Sequence, residues 1–108
     1  SPIQYLSNKS NIVLRIHKTN ESSWGGINIY NYNQFNNTNK SLTEVIDAFK
    51  SEGYTTENTT INDIPAVKIK MYSFNYYYFN FNSSVFEIQT YNNLDEYKDI
   101  LNSLKSIL

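Results

Sequence analysis

The 108 residues suit one domain with one core, and nine Lys and Arg against ten Asp and Glu leave a net charge of −1. That balance lacks the basic excess by which proteins release counterions from nucleic acid, so no nucleic-acid partner is expected. The absence of cysteine excludes disulfides, thiolate nucleophiles and cysteine-ligated zinc. With 40% hydrophobic and 16% aromatic residues there is ample material for a core without metal or crosslinks.

No apolar run approaches the roughly 18 residues that span a bilayer. Ser1-Pro2-Ile3-Gln4 has neither a starting Met nor a signal pattern. A single domain over residues 1–108, taken from a longer chain, is therefore expected. Asn-x-Ser/Thr sequons stand at Asn8, Asn20, Asn36, Asn39, Asn58 and Asn82, a mild excess that favours an extracytoplasmic or cell-surface location through an upstream segment.

In chain order, Asn11 to His17 alternates with Ile12, Leu14 and Ile16 on one face, and Ile27 to Tyr32 alternates again beyond a Ser/Gly-rich turn. These two read as a hairpin. Asn33 to Lys40 is Asn-rich and nearly free of aliphatic residues, which predicts a loop. Ser41-Leu42-Thr43-Glu44 has the spacing of a capping box, with Leu42, Val45, Ile46 and Phe49 on one stripe. Gly53 closes that helix in a left-handed conformation and sets Tyr54 against Phe49.

Four strands follow: Thr55 to Ile61, Ile64 to Tyr72, Tyr76 to Phe81 and Ser84 to Tyr91, with turns at Asn62-Asp63, Ser73 to Asn75 and Asn82-Ser83. Asn93-Leu94-Asp95-Glu96 caps a last helix with Leu94, Tyr97, Leu101 and Leu104 on its stripe. The expected fold is α+β, an antiparallel sheet of about six strands flanked by two helices in the order β-β-α-β-β-β-β-α.

Chemistry-bearing patterns are sparse. His17 is the sole histidine and has no local nucleophile or carboxylate, so it reads as a surface strand residue. Asp95, Glu96 and Asp99 suit the first turn of a helix better than a cation site. With Gly25, Gly26 and Gly53 the only glycines, phosphate cradles have no material. The expectation is a non-enzyme with no catalytic, cofactor-binding or metal-binding residues and no cofactor.

Tyrosine is the informative residue. With Ile27, Ile29, Val67, Ile69, Met71, Tyr77, Phe79, Phe81, Phe86 and Ile88 turned to one side, alternation sends a Tyr-rich set to the other. The candidate interaction surface is Tyr30, Tyr32 and Tyr72 with Tyr76, Tyr78 and Tyr91, joined by Lys68, Lys70 and the turn residue Trp24. Tyrosine offers a large contact area with a polar tip. It also has high strand propensity, which accounts for the same pattern without any ligand.

The capped helix Ser41 to Tyr54, the stretch Ile61-Asn62-Asp63-Ile64-Pro65-Ala66-Val67-Lys68-Ile69, the aromatic hairpin Tyr76 to Ile88 and the ending Leu94 to Leu104 together resemble PsbP-like domains of the Mog1/PsbP/DcrB superfamily. Two departures stand out. Asn62-Asp63 and Asn82-Ser83 replace the usual Asn-Gly turns, and nothing in Ser1 to Ser10 matches the aromatic first strand of that group. The resemblance implies an α/β/α sandwich and a non-catalytic protein-interaction or assembly role, as in archaeal and bacterial members of unknown function. A binding module for a glycan or a small apolar ligand, on the same aromatics, is the alternative.

Overall fold

A computed structural model describes the backbone of residues 3–5, 12–18 and 27–90, with side chains for 27–90. Trp24, Tyr91 and the helix expected after Asn93 lie outside the described residues, as does the side chain of His17. The elements are β1 (Ile3–Tyr5), β2 (Ile12–Lys18), β3 (Ile27–Asn31), α1 (Tyr32–Asn36), α2 (Leu42–Ser51), β4 (Thr56–Ile61), β5 (Ile64–Met71), β6 (Phe74–Phe81) and β7 (Ser84–Thr90).

The fold is α+β: the described residues form two helices and one antiparallel sheet in the order β1-β2-β3-β7-β6-β5-β4. Five of its strands, β3 to β7, are described with their side chains. The extra strand relative to expectation is β1, which pairs with β2 in a stretch where sequence alone assigned no element.

The path from β3 to β4 explains why helices lie over one face. Alternating antiparallel neighbours leave β3 and β4 pointing the same way, four strand spacings apart, or about 19 Å. A connection of that kind must cross the sheet. Ten residues of α2, about 15 Å of helix, fill most of the span.

Residue chemistry fixes both ends of α2. The Ser41 hydroxyl accepts from the Glu44 amide at 3.1 Å, and the Glu44 carboxylate accepts from the Ser41 amide at 3.1 Å. At the other end Gly53 has φ 94°, its amide donates to the Lys50 carbonyl at 3.0 Å, and the Tyr54 amide donates to the Phe49 carbonyl at 3.1 Å. That pair of bonds is a Schellman end, and it brings the Phe49 and Tyr54 rings edge to face at 5.9 Å.

The Asn-rich stretch is not all loop, contrary to expectation. Asn31 caps α1 by accepting from the Gln34 amide at 3.1 Å, and Asn37 ends it in the left-handed region at φ 52°. The asparagines that suggested a loop are the residues best suited to start and stop a helix of one turn.

One expectation about the sheet is overturned. Sequence placed the β5–β6 turn at Ser73 to Asn75, whereas a two-residue turn, Tyr72-Ser73, pairs Met71 with Phe74. A shift of one residue in register exchanges the faces of a whole strand. Val67, Ile69 and Met71 therefore share a face with Tyr76 and Tyr78, while Lys68 and Lys70 share the other with Tyr77 and Asn75.

Both faces are buried, so the expected division into a greasy inner side and a wet tyrosine side does not hold. Under α2 the core joins Val45, Ile46, Ile69, Met71, Tyr78 and Val85. On the opposite face Ile27, Ile29, Phe79 and Ile88 are each 1% exposed or less.

Candidate functional site

Two cross-strand rows build the site. Tyr30 on β3 pairs with Glu87 on β7, which pairs with Tyr78 on β6, which pairs with Val67 on β5. In the next row Asn28 pairs with Gln89, Gln89 with Tyr76, and Tyr76 with Ile69. Successive residues on one face of a strand lie two apart, so Glu87 and Gln89 stand side by side at the centre, flanked by tyrosines from both neighbours.

The helices roof these rows incompletely. α2 is anchored over β5 and β6 by Val45, Ile46 and Phe49, whereas the short α1 packs over β7 and β3. Between them remains a pocket of about 370 Å³, within the range of small-molecule sites. Its aromatic wall is Tyr30, Tyr32, Phe35, Phe49, Tyr76 and Tyr78. Several of these rings meet at steep angles: Tyr32 and Tyr78 at 5.9 Å and 83°, Tyr30 and Phe35 at 5.3 Å and 69°. Phe49 lies tilted on Tyr78 at 5.2 Å.

The polar groups at the pocket floor are largely engaged with one another. The Tyr30 hydroxyl donates to Gln89 Oε1 at 3.2 Å, and Gln89 Nε2 donates to the Tyr76 hydroxyl at 3.1 Å. Tyr78 and Glu87, paired across β6 and β7, influence one another electrostatically. Asn36, at the rim, sends its side-chain N–H to the Tyr32 carbonyl at 2.9 Å.

Burial sets the electrostatics. It lifts the Glu87 carboxyl above its ordinary value, against the opposing pull of the hydrogen bond from Tyr78. Burial is also the main cause of the large rise at Tyr78, reinforced by the neighbouring Glu87 charge. Tyr32 and Tyr76 are raised as well, again first by burial. These phenols are neutral hydrogen-bonding groups near neutral pH, and among the described residues Glu87 is the one carboxyl lining the pocket.

Four of the residues expected on the surface thus come together: Tyr30, Tyr32, Tyr76 and Tyr78. They form a recess and not an open face, for Tyr78 is only 1% exposed. Tyr72 instead projects from the β5–β6 turn, 87% exposed. Lys68 and Lys70 belong to the far face, where Lys68 Nζ stands 6.0 Å from the Tyr77 ring centre.

Sequence reasoning left three wall residues out. Phe35 was lost with the supposed loop, Phe49 was counted only as helix core, and Met71 was placed on the wrong face. The alternation of Glu87 and Gln89 with Phe86 and Ile88 was visible, but pairing alone reveals that two tyrosine-bearing strands flank them.

Among the described residues no group of His, Cys, Asp and Glu is placed to hold a metal ion, and no helix is long and apolar enough to cross a membrane. No family model matches the chain, and neither a curated protein nor a solved structure matches it.

Proposed function

We propose that this chain is a non-catalytic binding domain that takes a small molecule into the aromatic pocket between α1, α2 and the sheet. The observation that carries this reading is the pocket itself: about 370 Å³ bounded by six rings, with a few polar groups fixed at its floor. Among the described residues the lining contains no His, Ser or Lys to serve as nucleophile or partner base, which supports holding over transforming.

Protein interaction is the second reading, and Tyr72 favours it. An aromatic ring on a turn with φ 57°, a conformation costly for a bulky residue, is almost fully exposed. A docking partner would use that ring as an anchor, with Tyr54 as its neighbour. The α/β/α sandwich of the PsbP-like type agrees with a helical crossover over one face and with burial of the other. Exposure of the sequon residues Asn36, Asn39, Asn58 and Asn82 agrees with an extracytoplasmic setting.

The test is a side-chain NMR titration of the full chain with a panel of monosaccharides, short alcohols and small amines. Ring resonances of Tyr30, Tyr76 and Phe49 are expected to shift together with at least one class. A panel that leaves all three unmoved would overturn the small-molecule reading.

A further inference from the structure

What the pocket leaves unmet is charge. Gln89 is already engaged on both sides by Tyr30 and Tyr76. A sugar would meet the remaining hydroxyls through neutral hydrogen bonds, each of small net worth against water. The Glu87 carboxylate, by contrast, has no cationic partner among the described residues lining the pocket, which include no Lys, Arg or His. Glu87 is half-buried, and a carboxylate partly withdrawn from water without a counter-charge bears a cost that a ligand supplying the charge lowers.

The walls match the same kind of ligand. Aromatic rings attract a cation through the negative charge on their faces, and the attraction grows when water is excluded. Six rings surround the single carboxylate, two of them, Tyr30 and Tyr78, on residues paired directly with Glu87 across the sheet. Met71 adds a polarisable sulfur to the lining.

Resting on the reading of this pocket as a ligand site, we infer that its occupant is a small organic cation bearing an alkylated ammonium group, seated beside Glu87 and enclosed by the tyrosine and phenylalanine rings. The volume of about 370 Å³ accommodates a trimethylammonium head with a short tail, and Phe35, half exposed at the rim, lies where the tail would leave.

The experiment compares choline with dimethylbutanol, its isostere in which carbon replaces nitrogen, by NMR titration of the full chain. Choline is expected to bind about tenfold more tightly, since only the charge differs. Glu87→Gln is expected to abolish that preference while still binding the alcohol, which also shows that the variant is folded. Tyr32→Leu keeps the carboxylate and should weaken choline several-fold more than the alcohol. Equal or tighter binding of the alcohol by the unsubstituted chain would overturn the cation inference and leave the pocket reading standing. Binding of neither compound would overturn the inference, and the panel of neutral ligands would then decide the pocket reading separately.

Discussion

Tyr78 and Glu87 are direct partners across the β6–β7 pair, which sets the most deeply buried tyrosine under α2 beside the one carboxyl among the described residues of the aromatic pocket. Removing the hydroxyl takes a polar neighbour from that carboxyl. Tyr78→Phe should keep the ring packing against Phe49 and Tyr32 yet destabilise the fold by about 1–3 kcal/mol, the usual cost of stranding a buried polar group. Urea unfolding measures the loss, and an NMR titration should show the Glu87 carboxyl shifted further upward.

The direction of the Glu87 shift fixes how stability depends on pH. A carboxyl whose folded pKa is raised binds its proton more tightly in the native state. Its favourable contribution is complete below the ordinary value of 4.5 and is lost as pH rises through the elevated folded value. Tyr78 and Tyr76 from the neighbouring strand and Tyr32 from α1 lie around Glu87 and stay neutral over that interval, so they do not mask it. Glu87→Gln should lack this falling arm when unfolding free energy is followed from acid to neutral pH. A second decline, from the raised tyrosines, should begin above their ordinary value of 10.0, where the unfolded chain ionises first.

Two hairpin turns carry strain that substitution can relieve. Asn62 and Asp63 have φ 51° and 66°, and Asn82 and Ser83 have φ 50° and 62°, the twin left-handed residues of a type I′ turn. Asparagine tolerates that region, but Ser and Asp gain from glycine. Asp63→Gly and Ser83→Gly should each stabilise by about 1 kcal/mol, and about twice that together, since the turns share no partner. Thermal unfolding should register each as a rise of roughly 4–8 °C.

Helix α2 roofs the pocket, so weakening its cap tests whether the roof is integral to the fold. Ser41→Ala removes the acceptor for the Glu44 amide and should cost about 1 kcal/mol. Ser41→Asp should retain nearly all of the stability, because a carboxylate accepts the same bond and favours the helix N-terminus.

How far the sequence led can be judged from particular residues. Everything local to α2 was legible, because the Ser41 and Glu44 pair and the Gly53 and Tyr54 ending are short-range signals read within one turn. The Asn62-Asp63 and Asn82-Ser83 turns were equally local. What failed was relational. The position of one turn, Tyr72-Ser73, decides whether Lys68 or Val67 accompanies Tyr78, and a tyrosine in a left-handed turn is the least expected of signals there. Chemistry singles out Tyr30, Tyr76 and Tyr78, and the fold gathers all three at one pocket. That α2 covers them, converting a face into a recess, follows from the crossover to β4, which no single segment encodes.

The most direct measurement is a crystal structure of the full chain grown with the tightest binder from the titrations. The ligand is expected beside Glu87 and Gln89, beneath Phe49, with the Tyr30–Gln89–Tyr76 hydrogen bonds intact. A ligand seated on Tyr72 or on the Lys68 and Lys70 face, or Phe49 collapsed onto Tyr76 with no room between them, would contradict the account.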